Sequence, residues 1–493
     1  MSSYKTILKT TGLFAGLRVL SILVNVGISK LIAIFIGVSG IGLYGVFTNA
    51  LTLLSTVSDL GISKSSVRNI ANTEAKGDAY KLNQDISIIS KLIYYTGIIG
   101  CVVTIVLSYY LSKISFGNSD YTISFVFLGL AVLFTVIKEG QSSVFQGLRR
   151  YRLMAKNTII ISFLSFIVSI PILWFYKENG IILSILATAF IGALVTKISL
   201  HSVTKKIDNV RLTYENSSDL IKLGLSMMLI ALFISLSGYI LRSYIGVVSS
   251  IETVGYFQAG FQIISGYFGL IFTAMASDYF PRISALSNKN KELEREVNQQ
   301  ALLSLILIGP LVVLLPFVMP YMITILYSSD FKLTIVYVCV ALFGVIFQCG
   351  SQTMGMILLA KNNAKVFVSY VVTLQTIFLI NNILLFNSFG ILGLAVGFSI
   401  NMLLDLISIN LIVNKLYKIK FNTDFFKYLL IVFLFALVSY GCSRYFLTYK
   451  FMYCLLLLSL NLIFTFLTLR KLLKIQTFKV KDVIKYFKKD KSY

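Results

Sequence analysis

The chain has 493 residues, 57% hydrophobic and only 13% charged, with a formal net charge of +24 and a mean hydropathy of +0.84. A soluble domain carries about 25% charged residues. So few ionic groups cannot cover a globular surface of this size, and the solvent for most of the chain is lipid. The basic excess lies between apolar runs, which argues against a nucleic-acid partner and for orientation signals and attraction to anionic membrane lipids.

Met1 to Thr11 is short and basic and leads into a full-length apolar run with no A-x-A site, so no cleavable leader is expected. Apolar runs long enough for a crossing helix, about 20 residues, fall near 11–37, 41–63, 86–112, 120–146, 157–177, 180–202, 219–246, 253–277, 299–327, 333–359, 366–387, 390–413, 425–446 and 451–469. The expected fold is an all-α polytopic membrane protein of about fourteen transmembrane helices. Between the first two runs, Gly37-Val38-Ser39-Gly40-Ile41-Gly42 predicts a tight glycine turn in a hairpin from Lys30 to Ala71.

Lysine and arginine alternate in density along the connections. One set holds Lys64, Arg68, Lys76 and Lys81, then Arg149, Arg150, Arg152 and Lys156, then Lys205, Lys206 and Arg211, and so on to the tail beyond Arg470. The alternate set holds little more than Lys113, Lys177, Lys332, Arg444 and Lys450. Both termini are therefore expected in the cytoplasm, which requires an even number of helices. The tail from Leu469 to Tyr493 reads either as an amphipathic helix on the inner leaflet or as a solvated basic segment.

Pieces of the chain repeat at an offset near 210. Gly42-Leu43-Tyr44 matches Gly255-Tyr256-Phe257, Arg68 matches Arg282, and Asn179-Gly180-Ile181 matches Phe389-Gly390-Ile391. The expectation is two pseudo-repeated six-helix bundles, 1–213 and 214–420, an added helix pair at 421–469 and a basic tail at 470–493. A cleft between the bundles would open alternately to each side.

Ionisable groups inside spans are costly facing lipid and are candidates for function. Arg18, Lys30 and Arg242 lie on the first helix of each repeat with no acid on the same helix, and Lys138 sits in helix four. They are expected to form a cationic cleft for an anionic substrate, since arginine holds phosphate bidentately. Asp59, Glu139 and Asp405 are candidates for ion coupling, although Lys138 beside Glu139 also reads as a structural pair. Asn25, Gln141, Gln258, Gln262 and Asn381 are candidate polar lining for sugar hydroxyls, with interhelical bonding as the plain alternative. His201, the single histidine, reads as interfacial, which leaves little from which to build a hydrolytic site. There is no G-x-x-x-x-G-K-[ST] loop, and the five cysteines lie in apolar runs without metal-ligand spacing, so neither a cofactor nor a metal is expected.

The segments Gly42–Phe47, Ser58–Ile62 with Arg68, Gly147–Tyr151, Val254–Ala259 and Phe280–Ser284 resemble the polysaccharide-export (Wzx) branch of the multidrug/oligosaccharidyl-lipid/polysaccharide flippase superfamily. The resemblance covers Thr10 to about Val413; many members have twelve helices, and the extra pair here departs from that. It implies a non-enzymatic flippase of the bacterial inner membrane. The implied cargo is an undecaprenyl-pyrophosphate-linked oligosaccharide for O-antigen, enterobacterial common antigen or capsule. A polysaccharide polymerase and a chain-length regulator are implied partners. A drug or cation antiporter of the same fold is the rival reading, and it would favour an acidic cleft. A polymerase or ligase would need a larger outer loop than any here.

Overall fold

The computed structural model describes residues 24–203, 214–445 and 450–473, so Arg18, the connection holding Lys205, Lys206 and Arg211, and the basic tail lie outside the described residues. The described chain is helical throughout. It begins with α1 (Val24–Phe35), α2 (Val38–Asp59), α3 (Ile62–Lys76), α4 (Ala79–Val106), α5 (Ser108–Phe116) and α6 (Thr122–Gly147). Next come α7 (Tyr151–Val203), α8 (Tyr214–Val248), α9 (Ile251–Ile263), a π turn (Ile264–Phe268) and α10 (Gly269–Ala285). The remainder is α11 (Asn290–Leu326), α12 (Lys332–Ala360), α13 (Ala364–Tyr417), α14 (Thr423–Tyr445) and α15 (Lys450–Leu473).

Eleven of the described helical segments are long and apolar enough to cross a membrane, which makes this a multi-pass membrane protein. Two of the eleven are of double length. α7 breaks at Lys177 (φ 46°, ψ −121°) and α13 at Gly390 (φ 59°, ψ −135°). At about 1.5 Å per residue either would span more than two and a half times a bilayer core if it ran straight. Each instead has two limbs, as the separate runs 157–177/180–202 and 366–387/390–413 imply.

Lipid tails are as apolar as leucine side chains, so helices here gain little by hiding them from one another. Close backbone approach and interhelical hydrogen bonds do the holding. α2 and α9 show this most sharply. A methyl group on Gly42 would lie 2.0 Å from the Ile251 carbonyl oxygen, and one on Gly255 would lie 2.1 Å from that of Val38. Gly42 and Gly255 are 213 residues apart, as are Val38 and Ile251, so the contact is reciprocal. The same offset recurs at the breaks: a methyl on Gly180 would lie 2.6 Å from the Ile172 oxygen, and one on Gly393 would lie 1.9 Å from the Leu385 oxygen.

These contacts correct two readings of the sequence. The equivalent of Gly180 is Gly393, and Gly390 stands at the place of Lys177, so the repeat offset there is 213 and not 210. The glycine turn shrinks to Gly37 alone, whose φ of 95° and ψ of −156° only glycine adopts readily. Gly40 and Gly42 are already inside α2, where they let neighbours approach.

The chain divides into two compact units, each discontinuous in sequence. The first runs to Ser277 and adds Met322–Val338 and Asn363–Asn401. An apolar core in it joins α3, α4, α6 and α7 through Ile62, Ile70, Ile89, Val144, Phe145 and Leu200. The second comprises Asp278–Tyr321, Cys339–Asn362 and the chain from Met402 onward. There α14 and α15 pack on α11: Val313 and Phe317 meet Cys454 and Leu457, and Ser439 Oγ donates to the Val313 carbonyl at 2.6 Å. The basic connections of this unit act as clips. Arg282 bridges Asp278 (3.2 Å) and Glu296 (3.0 Å), and Lys361 donates to Asn290 Oδ1 and to the carbonyl of Ser287.

Replacing Gly42 or Gly255 by alanine is expected to lower the stability of the detergent-purified protein by about 1–3 kcal/mol, the usual cost of forcing extra atoms into a packed contact. Gly441→Ala, where nothing lies within 4 Å, should be neutral or gain up to about 1 kcal/mol from helix propensity. Thermal unfolding of the three variants checks this; equal midpoints would show that the α2–α9 approach is not close-packed.

Candidate functional site

The candidate residues of the first compact unit fall into separate places. Nearest the ends of α2 and α6 that lead to the basic connections is a cavity of about 720 Å³. Thr52, Ser55, Thr56 and Asp59 of α2 line it, together with Thr135, Lys138, Glu139, Ser142 and Gln146 of α6. In each helix these residues recur every three or four positions and so form one stripe. Lys138 Nζ is 2.8 Å from Glu139 Oε1. The lysine stem needs space on its other side, and Gly192 of α7 leaves it: a methyl there would lie 2.7 Å from Lys138 Cδ. Asp59 Oδ1 accepts from the Ser63 hydroxyl (2.5 Å) and backbone N–H (3.2 Å) at the start of α3, and Lys64 completes the ionic lining. The hydroxyls of Thr52 and Thr56 donate to the carbonyls four residues earlier, at 2.8 and 2.7 Å. Their oxygens are left as acceptors. The cavity wall thus offers acceptors to sugar hydroxyls and ammonium groups to an anion.

Arg242 sits elsewhere. It is 3% exposed, on α8, and faces α9. Its Nε donates to Gln258 Oε1 at 2.7 Å and Nη1 to the Gly238 carbonyl at 3.0 Å. The guanidinium lies over the rings of Phe257 (5.1 Å) and Phe261 (5.0 Å), a cation–π contact. None of the ion pairs among the described residues involves it, so neutral groups hold a full charge. Gln258 also faces Gly45 of α2, where a methyl would lie 2.8 Å from its Cγ. Arg242 thus belongs to the α2–α8–α9 contact and lines neither this cavity nor the next.

Lys30 is a cap. Its Nζ donates to the carbonyls of Thr324 (3.1 Å) and Tyr327 (2.5 Å) at the end of α11, where a cation also meets the negative pole of the helix. Beside it, Gln262 Oε1 accepts from Tyr327 Oη at 3.0 Å and from Ser29 Oγ at 3.3 Å. Asn25, Tyr44, Thr48, Gln262, Tyr267 and Tyr327 line a cavity of about 280 Å³ against the π turn. Such turns often mark functional segments.

The remaining candidates act between helices. Thr196 Oγ1 of α7 donates to Gln141 Oε1 of α6 at 2.6 Å. Asn381 Nδ2 donates to Asn401 Oδ1 at 3.1 Å, linking the limbs of α13. Asp405 is half-buried on the second limb. The structure therefore unites Lys138, Glu139 and Asp59, sets Arg242 and Gln258 in one buried contact, and brings Lys30 and Gln262 each to Tyr327. The hydroxyl stripes, Tyr44 and Tyr327 were not singled out from the sequence. The spacing Thr48, Thr52, Thr56, Asp59 was the signal available.

Residues 7–287, more than half of the chain, match the family described as Polysaccharide biosynthesis protein. The chain belongs to that family. A Shigella flexneri protein named as an O-antigen transporter is 20% identical over 371 residues, covering 73% of this chain and 87% of that protein. Among solved structures, the lipid II flippase MurJ in an inward closed conformation superposes with a TM-score of 0.75 at 13% identity, covering 95% of this chain and all of the other. An inward-facing multidrug-resistance MATE transporter of the MOP superfamily gives 0.66 at 12% identity, covering 87% and 95%. At these identities the structural likeness shows a shared MurJ/MATE-like fold.

Arg242→Lys removes the planar donor fork and is expected to cost about 1–2 kcal/mol through lost stacking. Thermal unfolding of this variant beside Lys30→Met reads the two roles. An unchanged midpoint for Arg242→Lys would mean that the rings and Gln258 add nothing.

Proposed function

We propose that the protein is a flippase for a lipid-linked oligosaccharide, an undecaprenyl-pyrophosphate carrier bearing an O-antigen, common-antigen or capsule unit. It moves this cargo from the inner to the outer leaflet of the bacterial inner membrane. The observation that carries the reading is the polar cavity of α2 and α6, with Lys64, Lys138 and a hydroxyl stripe inside an otherwise apolar chain. Dragging pyrophosphate and sugar hydroxyls through hydrocarbon costs many kcal/mol, and this wall offers partners for both.

The topology follows the same reading. Each double-length helix counts as two crossings and α1 adds one, which gives fourteen, with both termini in the cytoplasm. The basic connections then mark the inner side and the Gly37 turn the outer side. The Gly42–Gly255 contact serves as the outer closure, and transport proceeds by separating it while the inner side closes. Asp59 and Glu139 are the groups through which an ion would couple. A cation-coupled drug antiporter is the second reading, favoured by those two carboxylates and by the MATE-like fold. Lys138, bonded to Glu139, weighs against it by cancelling one of the two charges.

Lys138→Ala and Lys64→Ala should each reduce surface polysaccharide about tenfold or more, the factor that corresponds to 1.4 kcal/mol of lost binding, at unchanged membrane abundance. Lys138→Arg should retain most of it. Immunoblots of surface glycan against protein level make the test. Normal glycan in both alanine variants, with altered drug tolerance, would favour the antiporter.

A further inference from the structure

A third cavity, about 640 Å³ and open-mouthed, lies at the opposite ends of the helices from the basic connections. It is bounded by the end of α8, the start of α9 and the break of α13. Its volume is in the range of small-molecule sites, about 300–1,000 Å³. Tyr244 and Phe386 meet edge to face at 6.5 Å and supply aromatic surface. Tyr244 Oη donates to Asn387 Oδ1 at 2.9 Å, which leaves the Asn387 amide NH₂ as a donor pair and the phenol oxygen as an acceptor. Ser249 and Thr253, 3.0 Å apart, add hydroxyls. Among the described residues no lysine, arginine, aspartate or glutamate lines the cavity, so nothing in that lining answers a phosphate charge. Flat aromatic surface beside uncharged donors and acceptors suits the C–H faces and hydroxyls of a neutral sugar.

The other repeat provides an internal control. At the 213-residue offset Asn387 corresponds to Trp174, and there Trp174 stands edge-on to Phe35 with ring centroids 5.1 Å apart. The fold therefore accepts a purely aromatic pair at this corner. The polar lining of the second repeat is not required to turn the chain at Gly390.

We propose that the cavity of Tyr244, Ser249, Thr253, Phe386 and Asn387 is a saccharide site on the outer face, which holds the neutral sugars of the translocated oligosaccharide before release. The site rests on the flippase reading for its cargo. Its polarity gives the neutral sugars a second place, apart from the lysine-lined inner cavity that answers the charged link.

The test is calorimetric titration of the purified protein with the delipidated, dephosphorylated repeat-unit oligosaccharide prepared from the host's own surface glycan, beside inorganic pyrophosphate. Wild type should bind the free sugar with a dissociation constant in the millimolar range or tighter. Asn387→Trp, which installs the residue of the first repeat, and Tyr244→Phe should weaken binding at least fivefold, with unfolding midpoints unchanged. Pyrophosphate should not compete. Absence of binding by wild type, equal binding by both variants, or competition by pyrophosphate would each overturn the proposal. Lys138→Ala should bind the free sugar as wild type does. If deleting the protein leaves surface glycan normal while the purified protein binds the free sugar, the flippase reading fails and this site stands; if deletion abolishes surface glycan but wild type shows no free-sugar binding, the site alone fails.

Discussion

The structure depends on how closely α2 and α9 approach. Inside a bilayer, burying leucine against leucine gains little over leaving it in lipid, so helix contacts must come from dispersion at short range and from hydrogen bonds. Gly42 and Gly255 allow backbone to touch backbone, each against the carbonyl at the start of the other helix. The adjoining groups, Gln258 against Gly45 and Arg242 against Gln258, are arranged by that contact. Arg242 can be buried without a carboxylate only because the two helices are near enough to surround it with an amide, a carbonyl and two rings.

The reciprocal contact also explains a division of labour among the charges. Four of the described bases serve outside the three cavities. Lys30 caps a helix, Arg282 and Lys361 clip connections, and Arg242 fills a buried contact. The cavity of α2 and α6 gathers Lys64, Lys138, Asp59 and Glu139 with a row of hydroxyls. A net basic composition thus does not translate into a uniformly basic path. The cavity lining is mixed in charge and rich in oxygen acceptors.

The fold was legible in the sequence because lipid as a solvent leaves few options. Backbone groups must be satisfied within helices, and the length of each apolar run sets the number of spans. Packing distances align the glycines near the helix breaks at an offset the sequence match there does not share. The sequence pairs Gly180 with Gly390, whereas the packing pairs it with Gly393, because the glycine that faces a carbonyl is Gly393 and the one with positive φ is Gly390.

The sequence by itself determined the solvent, the helical class, the apolar runs, and which intramembrane residues carry charge. Only the tertiary structure decided what each charge faces. Lys138, Glu139 and Asp59 share a cavity because α2 and α6 present their polar stripes to the same space. Lys30 and Arg242, intramembrane bases like Lys138, are taken up by a helix end and a helix contact. The reason is geometric: a sequence fixes the face on which a residue lies within its own helix, and the partner on that face belongs to a segment as many as 294 residues away.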